Sequence, residues 1–247
     1  ARVDKARQQV ADLIGAPAKN VIFTSGGTEA DNLALRGFGP RHLIVSGIEH
    51  GAILAPALLL DRDAAIVDVD ADGRVDLDAL DAALAASTTP ALVSLMLANN
   101  ETGVIQPVAE AAQIAHAHNA LLHCDAIQGA GKMTVDINEL GADLLSLSAH
   151  KIGGPQGVGA LVMREDRTVM AQMVGGGQEM GRRSGTENVA GIAGFGEAAR
   201  RVAGELTEFA KLAKLRDAME GRLAQIAPAR RVIGADVDRV PNTSCVT

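Results

Sequence analysis

The chain has 247 residues, 47% of them apolar, which is enough to bury a large core and lies at the upper end for one domain. A formal net charge of −7 argues against a nucleic-acid surface, which needs clustered Lys and Arg to replace the counterions around phosphates. The longest apolar runs, such as 53–60 and 91–98, fall short of the roughly 20 residues needed to cross a bilayer, so no membrane span is expected.

The opening residues already carry a helical pattern. A β-branched run at 21–24 predicts a strand that leads into a helix at 28–36. Strand 42–46 is followed by helix 51–60, and strand 65–69 by helix 76–86, where acidic residues in the first turn suit the positive end of the helix dipole. Strand 91–97 precedes helix 108–118, and three further strands follow at 120–124, 143–148 and 158–163. After residue 163 the β pattern fades. A glycine-rich segment, 174–178, leads to one long predicted helix at 187–226 that leaves the sheet. The piece 231–233 and the run Val240-Pro241-Asn242 read as the start of another element. This alternation predicts an α/β fold with a mostly parallel seven-stranded sheet and helices on both faces. The expected division is a large domain at 1–200 and, at 201–247, a connecting helix with the start of a smaller domain.

Cys124 and Cys245 lie far apart, so no disulfide framework is implied and a reducing, cytoplasmic setting is expected. Neither C-x-x-C nor H-E-x-x-H occurs, and no metal site is expected. The chain starts without Met and stops at Thr247 without a cap or polar tail. Both ends are expected to be cut, which leaves the lack of a leader uninformative.

Four segments can carry chemistry. Thr24-Ser25-Gly26-Gly27-Thr28-Glu29 follows a strand and opens a helix, where small residues let backbone N–H groups close around a phosphate; an ordinary turn with Thr28 as cap fits equally well. No dinucleotide or P-loop glycine pattern is present. His123-Cys124-Asp125-Ala126-Ile127-Gln128 ends a buried strand, where open parallel sheets place their ligand crevices. Asp125 there can hold a proton on a pyridine nitrogen and Gln128 can steady a ring hydroxyl, while a helix cap is the plainer reading of Asp125. Strand alternation puts Cys124 on the other face as a small buried hydrophobe. Ser148-Ala149-His150-Lys151 leaves another strand and sets an amine beside hydroxyl and imidazole groups; such a lysine can form a Schiff base, although a lone strand-end lysine is usually just solvated. Asn99-Asn100 ends a strand before a turn, where an amide can bond a ring or substrate oxygen or simply build the turn. His50, at a helix start, can face a planar ring, act as an acid-base group, or cap the helix.

Taken in order, SGGTEADN, IEH, NNETGVIQP, HCDAIQ, SLSAHKIGGPQGVGAL and GGGQEMGRRSGTEN resemble cysteine desulfurases of the class V aminotransferase family, in the branch serving iron–sulfur cluster assembly. The resemblance runs from end to end of the chain. It implies the large domain of fold-type I enzymes that depend on pyridoxal 5'-phosphate. By it, Lys151 forms the Schiff base, Asp125 pairs with the pyridine nitrogen, Gln128 contacts the ring hydroxyl and His50 stacks on the ring. Asn100 lies near the ring hydroxyl and substrate, and Gly27, Thr28, Ser148 and His150 hold the phosphate. Thr186 reaches the phosphate of a neighbouring subunit, which implies a homodimer. The implied reaction converts L-cysteine to L-alanine and passes sulfur to an enzyme cysteine as a persulfide, with an iron–sulfur scaffold as the onward acceptor. The family's nucleophilic cysteine lies in a serine-rich loop well beyond a Val-Pro-Asn segment, and Cys245 does not match it. Selenocysteine lyase, another class V lyase, and an inactive cofactor-binding scaffold are the alternatives.

Overall fold

In the computed structural model, residues 1–39, 41–165 and 167–247 are described. Helix α1 (Arg2–Leu13) precedes strand β1 (Val21–Thr24), and α2 (Gly27–Arg36) follows at once. Then come β2 (His42–Ser46), α3 (Gly51–Leu60), β3 (Ala65–Val67), α4 (Leu77–Ala86), β4 (Ala91–Met96) and α5 (Val108–Ala117). Strands β5 (Leu121–Asp125), β6 (Leu144–Ser148) and β7 (Gly159–Met163) complete the sheet, and α6 (Val189–Ala210) and α7 (Leu212–Ile226) follow.

The seven strands form one sheet in the order β1-β7-β6-β5-β4-β2-β3. Every pairing from β6 across to β3 is parallel, whereas β7 runs antiparallel to both β1 and β6. The helices cover both faces, as the alternating strand residues require. Val93, Leu122, Leu145 and Val162 point into a core shared with α1, α4, α5 and α6. Leu92, Leu121, Leu144 and Leu161 point the other way, into a core under α2 and α3. Full burial of each such side chain is worth about 1.5–3 kcal/mol, so a one-residue slip that exchanged the two sets is strongly disfavoured.

Helix starts follow capping chemistry. The Asp76 carboxylate accepts the Ala79 N–H at 3.0 Å, and Asn188 accepts the Gly191 N–H at 3.0 Å. Three expectations are corrected. Strand 65–69 ends at Val67, because Val69 turns into an isolated antiparallel bridge with Val75. The single helix over 187–226 starts at Val189 and is two helices, interrupted at Lys211, whose N–H bonds the Glu208 carbonyl in a tightened turn. The segment 231–233 finds a partner within the chain: the Arg231 N–H bonds Thr247 and the Ile233 N–H bonds Cys245.

Candidate active site

Because β4, β5 and β6 are parallel, their C-terminal ends open on one edge of the sheet, and a cleft of about 690 Å³, counting space open to solvent, lies there. Each strand end delivers its own group. Asn100 comes from the turn after β4, Asp125 and Gln128 from the end of β5, and Ser148, His150 and Lys151 from the end of β6. Gly27 and Thr28 at the start of α2, and His50 at the start of α3, close the cleft from the opposite side. All the residues singled out in the sequence therefore converge here except Thr186, which lies in a separate cavity with Ser25, Gly157 and Arg183.

Asp125 is buried, and its Oδ1 accepts the Ile127 N–H at 2.9 Å. Burial pushes its carboxyl up to about 6, against the opposing effects of that N–H and of His50 and Lys151. Cys124 faces the other core, as alternation requires, and burial raises its thiol well above the usual range. Lys151 rides on a short 3₁₀ turn after β6, and among the described residues no hydrogen bond or ion pair ties its ammonium. Next to it, Ser148 Oγ and His150 Nδ1 are 2.9 Å apart. His50 caps α3: its Nδ1 accepts the Ala52 N–H at 3.1 Å, so the proton of the neutral ring sits on Nε2.

The two asparagines divide the two roles open to them. Asn99 builds the turn, its Oδ1 accepting from the N–H groups of Glu101 and Thr102 at 3.0 Å, while Asn100 lines the cleft. Small residues then bring backbone close to the phosphate-sized end. A Cβ on Gly27 would meet Ile127 Cδ1 at 2.2 Å, and one on Gly159 would lie 2.5 Å from the Gly26 carbonyl carbon. Gly159 meets rigid backbone and is required if the turn before α2 is to seat against β7, whereas at Gly27 the contact falls on the movable end of the Ile127 side chain.

Four contributors escaped sequence reasoning. Asp31 lines the cleft one helical turn after Gly27; among the described residues neither of its carboxylate oxygens makes a well-formed hydrogen bond, and only the nearby Ser146 hydroxyl offsets its burial. Burial, with the charges of Asp125 and Glu49, pushes this carboxyl well above its usual range. The visible signal was a carboxylate at helical spacing from Gly27, among the apolar residues Ala30, Leu33 and Ala34. Glu49 is also buried; its Oε1 accepts from Ser46 Oγ at 2.7 Å and from the Met96 N–H at 2.6 Å, bolting the His50 loop to β4. Burial and Asp125 push Glu49 up to about 8. His123 is fully buried under α2, bonded by Ser94 Oγ and Ser146 Oγ at 2.9 Å each. Burial lowers it to about 3, so the ring is neutral and the Asp31 oxygen 3.8 Å away is no ion-pair partner. Lys132, in the turn after β5, donates from Nζ to Gln128 Oε1.

The donor set suits pyridoxal phosphate: a helix N-terminus with a hydroxyl and an imidazole for a phosphate, a buried carboxylate for a pyridine nitrogen, and an untied amine for an aldehyde. The relatives agree with this chemistry. Residues 1–247, the whole chain, match the aminotransferase class-V family. The chain belongs to that family. It is 45% identical over 251 residues to a cysteine desulfurase of Cereibacter sphaeroides, covering 98% of this chain and 64% of the relative. The chain thus spans a little under two thirds of that protein's length. The NifS-like protein of Rickettsia africae superposes with a TM-score of 0.95 at 36% identity, covering all of this chain and 69% of that one. SspA, solved in complex with cysteine, aligns with a TM-score of 0.74 at 31% identity over 80% of this chain and 60% of that one. The mostly parallel sheet shared with the NifS-like protein is the fold-type I architecture expected of a family that uses pyridoxal phosphate.

Proposed function

We propose that this protein is a cysteine desulfurase in which Lys151 holds pyridoxal phosphate. The observation that carries the proposal is the convergence of Lys151, Asp125, His50 and Gln128 on one cleft beside the start of α2. The relatives named above are a cysteine desulfurase, a NifS-like protein and a protein solved with cysteine, which supports L-cysteine as substrate.

When bound, the cofactor supplies an aldehyde carbon that accepts amines and a ring that withdraws electrons from the substrate's α-carbon. The N–H groups at the start of α2, with Ser148 and His150, bind its phosphate. Asp125, buried where a cation stabilises its charged form, holds a proton on the pyridine nitrogen. His50 would cover the ring, and its Nε2, the nitrogen not engaged by the Ala52 N–H, would serve as the acid-base group. Asn100 and Gln128 orient the ring oxygen. Lys151 supplies the amine that anchors the cofactor and then accepts a proton from the substrate side. The sulfur leaves to an enzyme thiolate. Cys124 is not that thiol, because it is buried on the opposite sheet face.

The finer expectations stand as proposals with this reading. A homodimer is supported by Thr186 lying in a cavity apart from Lys151, free to serve a second site. Division near residue 200 is supported by α7, in which no residue is buried. Passage of sulfur to an iron–sulfur scaffold and residence in the cytoplasm follow from the resemblance; among the described residues no helix is long and apolar enough to cross a membrane.

The test is to saturate the protein with pyridoxal phosphate, reduce it with borohydride and map the modified peptide. A single adduct on Lys151, lost in Lys151→Ala, is expected. An adduct elsewhere, or none at saturating cofactor, overturns the assignment. With a dithiol reductant present to reduce the enzyme persulfide, alanine and sulfide released in equal amounts from L-cysteine would then establish the reaction.

A further inference from the structure

Lys132 is a half-buried cation that no carboxylate partners among the described residues, and it stands beside the cleft. It sits four residues after Gln128 in the turn that leaves β5, and its ammonium donates to Gln128 Oε1. An ammonium carries donors only, so the oxygen of the Gln128 amide must face Lys132. The two N–H donors of that amide are thereby turned the other way, toward the cleft that Gln128 lines. Burial depresses the Lys132 ammonium, and the nearby charge of Lys151 depresses it further. The charge of Lys151 thus reaches Lys132, and among the described residues no carboxylate neutralises Lys132.

We infer that Lys132 is a positioning residue: it locks the Gln128 amide with its N–H donors toward the cofactor's ring oxygen and, with its own charge, holds that oxygen as an anion. The inference rests on the cofactor reading above and deepens it. A free Gln128 could flip and offer its carbonyl, which favours a protonated, neutral ring hydroxyl instead. Lys132 removes that choice. The anion it selects would balance the charge of the Lys132 ammonium.

The consequence is read as a pH midpoint rather than as turnover. The proton shared between the Lys151 nitrogen and the ring oxygen is held more weakly near a second cation and beside a fixed donor to that oxygen. Removing Lys132 deletes both effects, and both changes raise proton affinity. In Lys132→Met loaded with pyridoxal phosphate, the pH midpoint of the visible absorption band is expected to rise by about one unit. Lys132→Arg keeps the charge and should hold the midpoint near the wild-type value. In a Gln128→Leu background the shift caused by K132M should shrink, since part of it acts through the amide. The other titratable groups at the cleft are Asp31 on α2, His50 at α3, Asp125 on β5 and His150 beside Lys151, and all are unchanged in these comparisons.

A wild-type band whose midpoint does not move in K132M, or an equal shift with and without Gln128, overturns the role of Lys132 while leaving the cofactor reading intact. Absence of any visible band or Lys151 adduct in the wild type overturns the cofactor reading and this inference with it. Should K132M fail to fold, Lys132→Gln carries the same comparison with the same expected direction.

Discussion

Glu49→Gln probes the buried acid that fixes the His50 loop. Glu49 is held up to about 8 in the folded protein, against a usual value of 4.5, chiefly by burial and then by Asp125. A carboxyl raised in this way contributes stability that is fully present below its unfolded value and is lost as pH rises through its folded value. The difference of 3.5 units, at about 1.4 kcal/mol each, gives a loss of roughly 5 kcal/mol across the whole range. Between pH 5 and pH 8.5 the share is about 4 kcal/mol. The Gln carbonyl can accept the same two hydrogen bonds, from Ser46 Oγ and the Met96 N–H, and carries no charge at any pH. Its N–H₂ replaces an oxygen that has no partner among the described residues, so a penalty of about 1–2 kcal/mol is expected at pH 5. Stability from urea unfolding of both proteins at pH 5, 7 and 8.5 should therefore cross: wild type ahead at the acidic end, E49Q ahead at the basic end. A stability difference between the two that stays flat over this range would refute the claim that the folded protein keeps Glu49 protonated.

Gly159→Ala would press a methyl group to 2.5 Å from the Gly26 carbonyl carbon and 2.7 Å from the Leu147 carbonyl oxygen, both rigid backbone. It should destabilise by about 1–3 kcal/mol and weaken retention of pyridoxal phosphate, measured by urea midpoint and by cofactor titration. Arg7→Ala removes two hydrogen bonds, at 2.6 and 2.9 Å, and the charge partner from the Glu179 carboxylate, which is only 2% exposed and keeps the Phe23 N–H at 3.0 Å. A loss of about 3–5 kcal/mol in urea unfolding is expected. Arg7→Lys should recover only part of it, because an ammonium cannot reproduce the fork.

Most of the sheet was legible because its strands are short apolar runs set between amphipathic segments, and the groups of the cleft stand at the ends of those runs. Position at a strand end made Asp125 and Lys151 candidates without excluding a cap or a solvated lysine, and the structure brings both to the cleft. The direction of β7 was recoverable in principle. Only ten residues separate Ser148 from Gly159, too few for the helical crossover that a parallel partner needs. The break at Lys211 left no mark, since Phe209, Ala210, Lys211 and Leu212 include neither Gly nor Pro. Asp31 and Glu49 were missed for a different reason. Their importance comes from burial beside Asp125, which depends on how α2 and the loop before α3 settle on the sheet. Lys132 is the least visible of all, because its meaning lies in a turn that folds it back on Gln128.

The alternation of β5 that aims Asp125 at the cleft also sends its neighbour Cys124 into the opposite core, with no exposed surface, while Cys245 remains partly accessible. The two thiols therefore keep different time. A small alkylating reagent meets Cys245 in the native molecule, but reaches Cys124 only in molecules whose central strands have parted. Counting single and double adducts by mass would follow the opening of the sheet in the unmodified protein. A ligand that ties β5 to its neighbours would announce itself by slowing the second adduct and not the first.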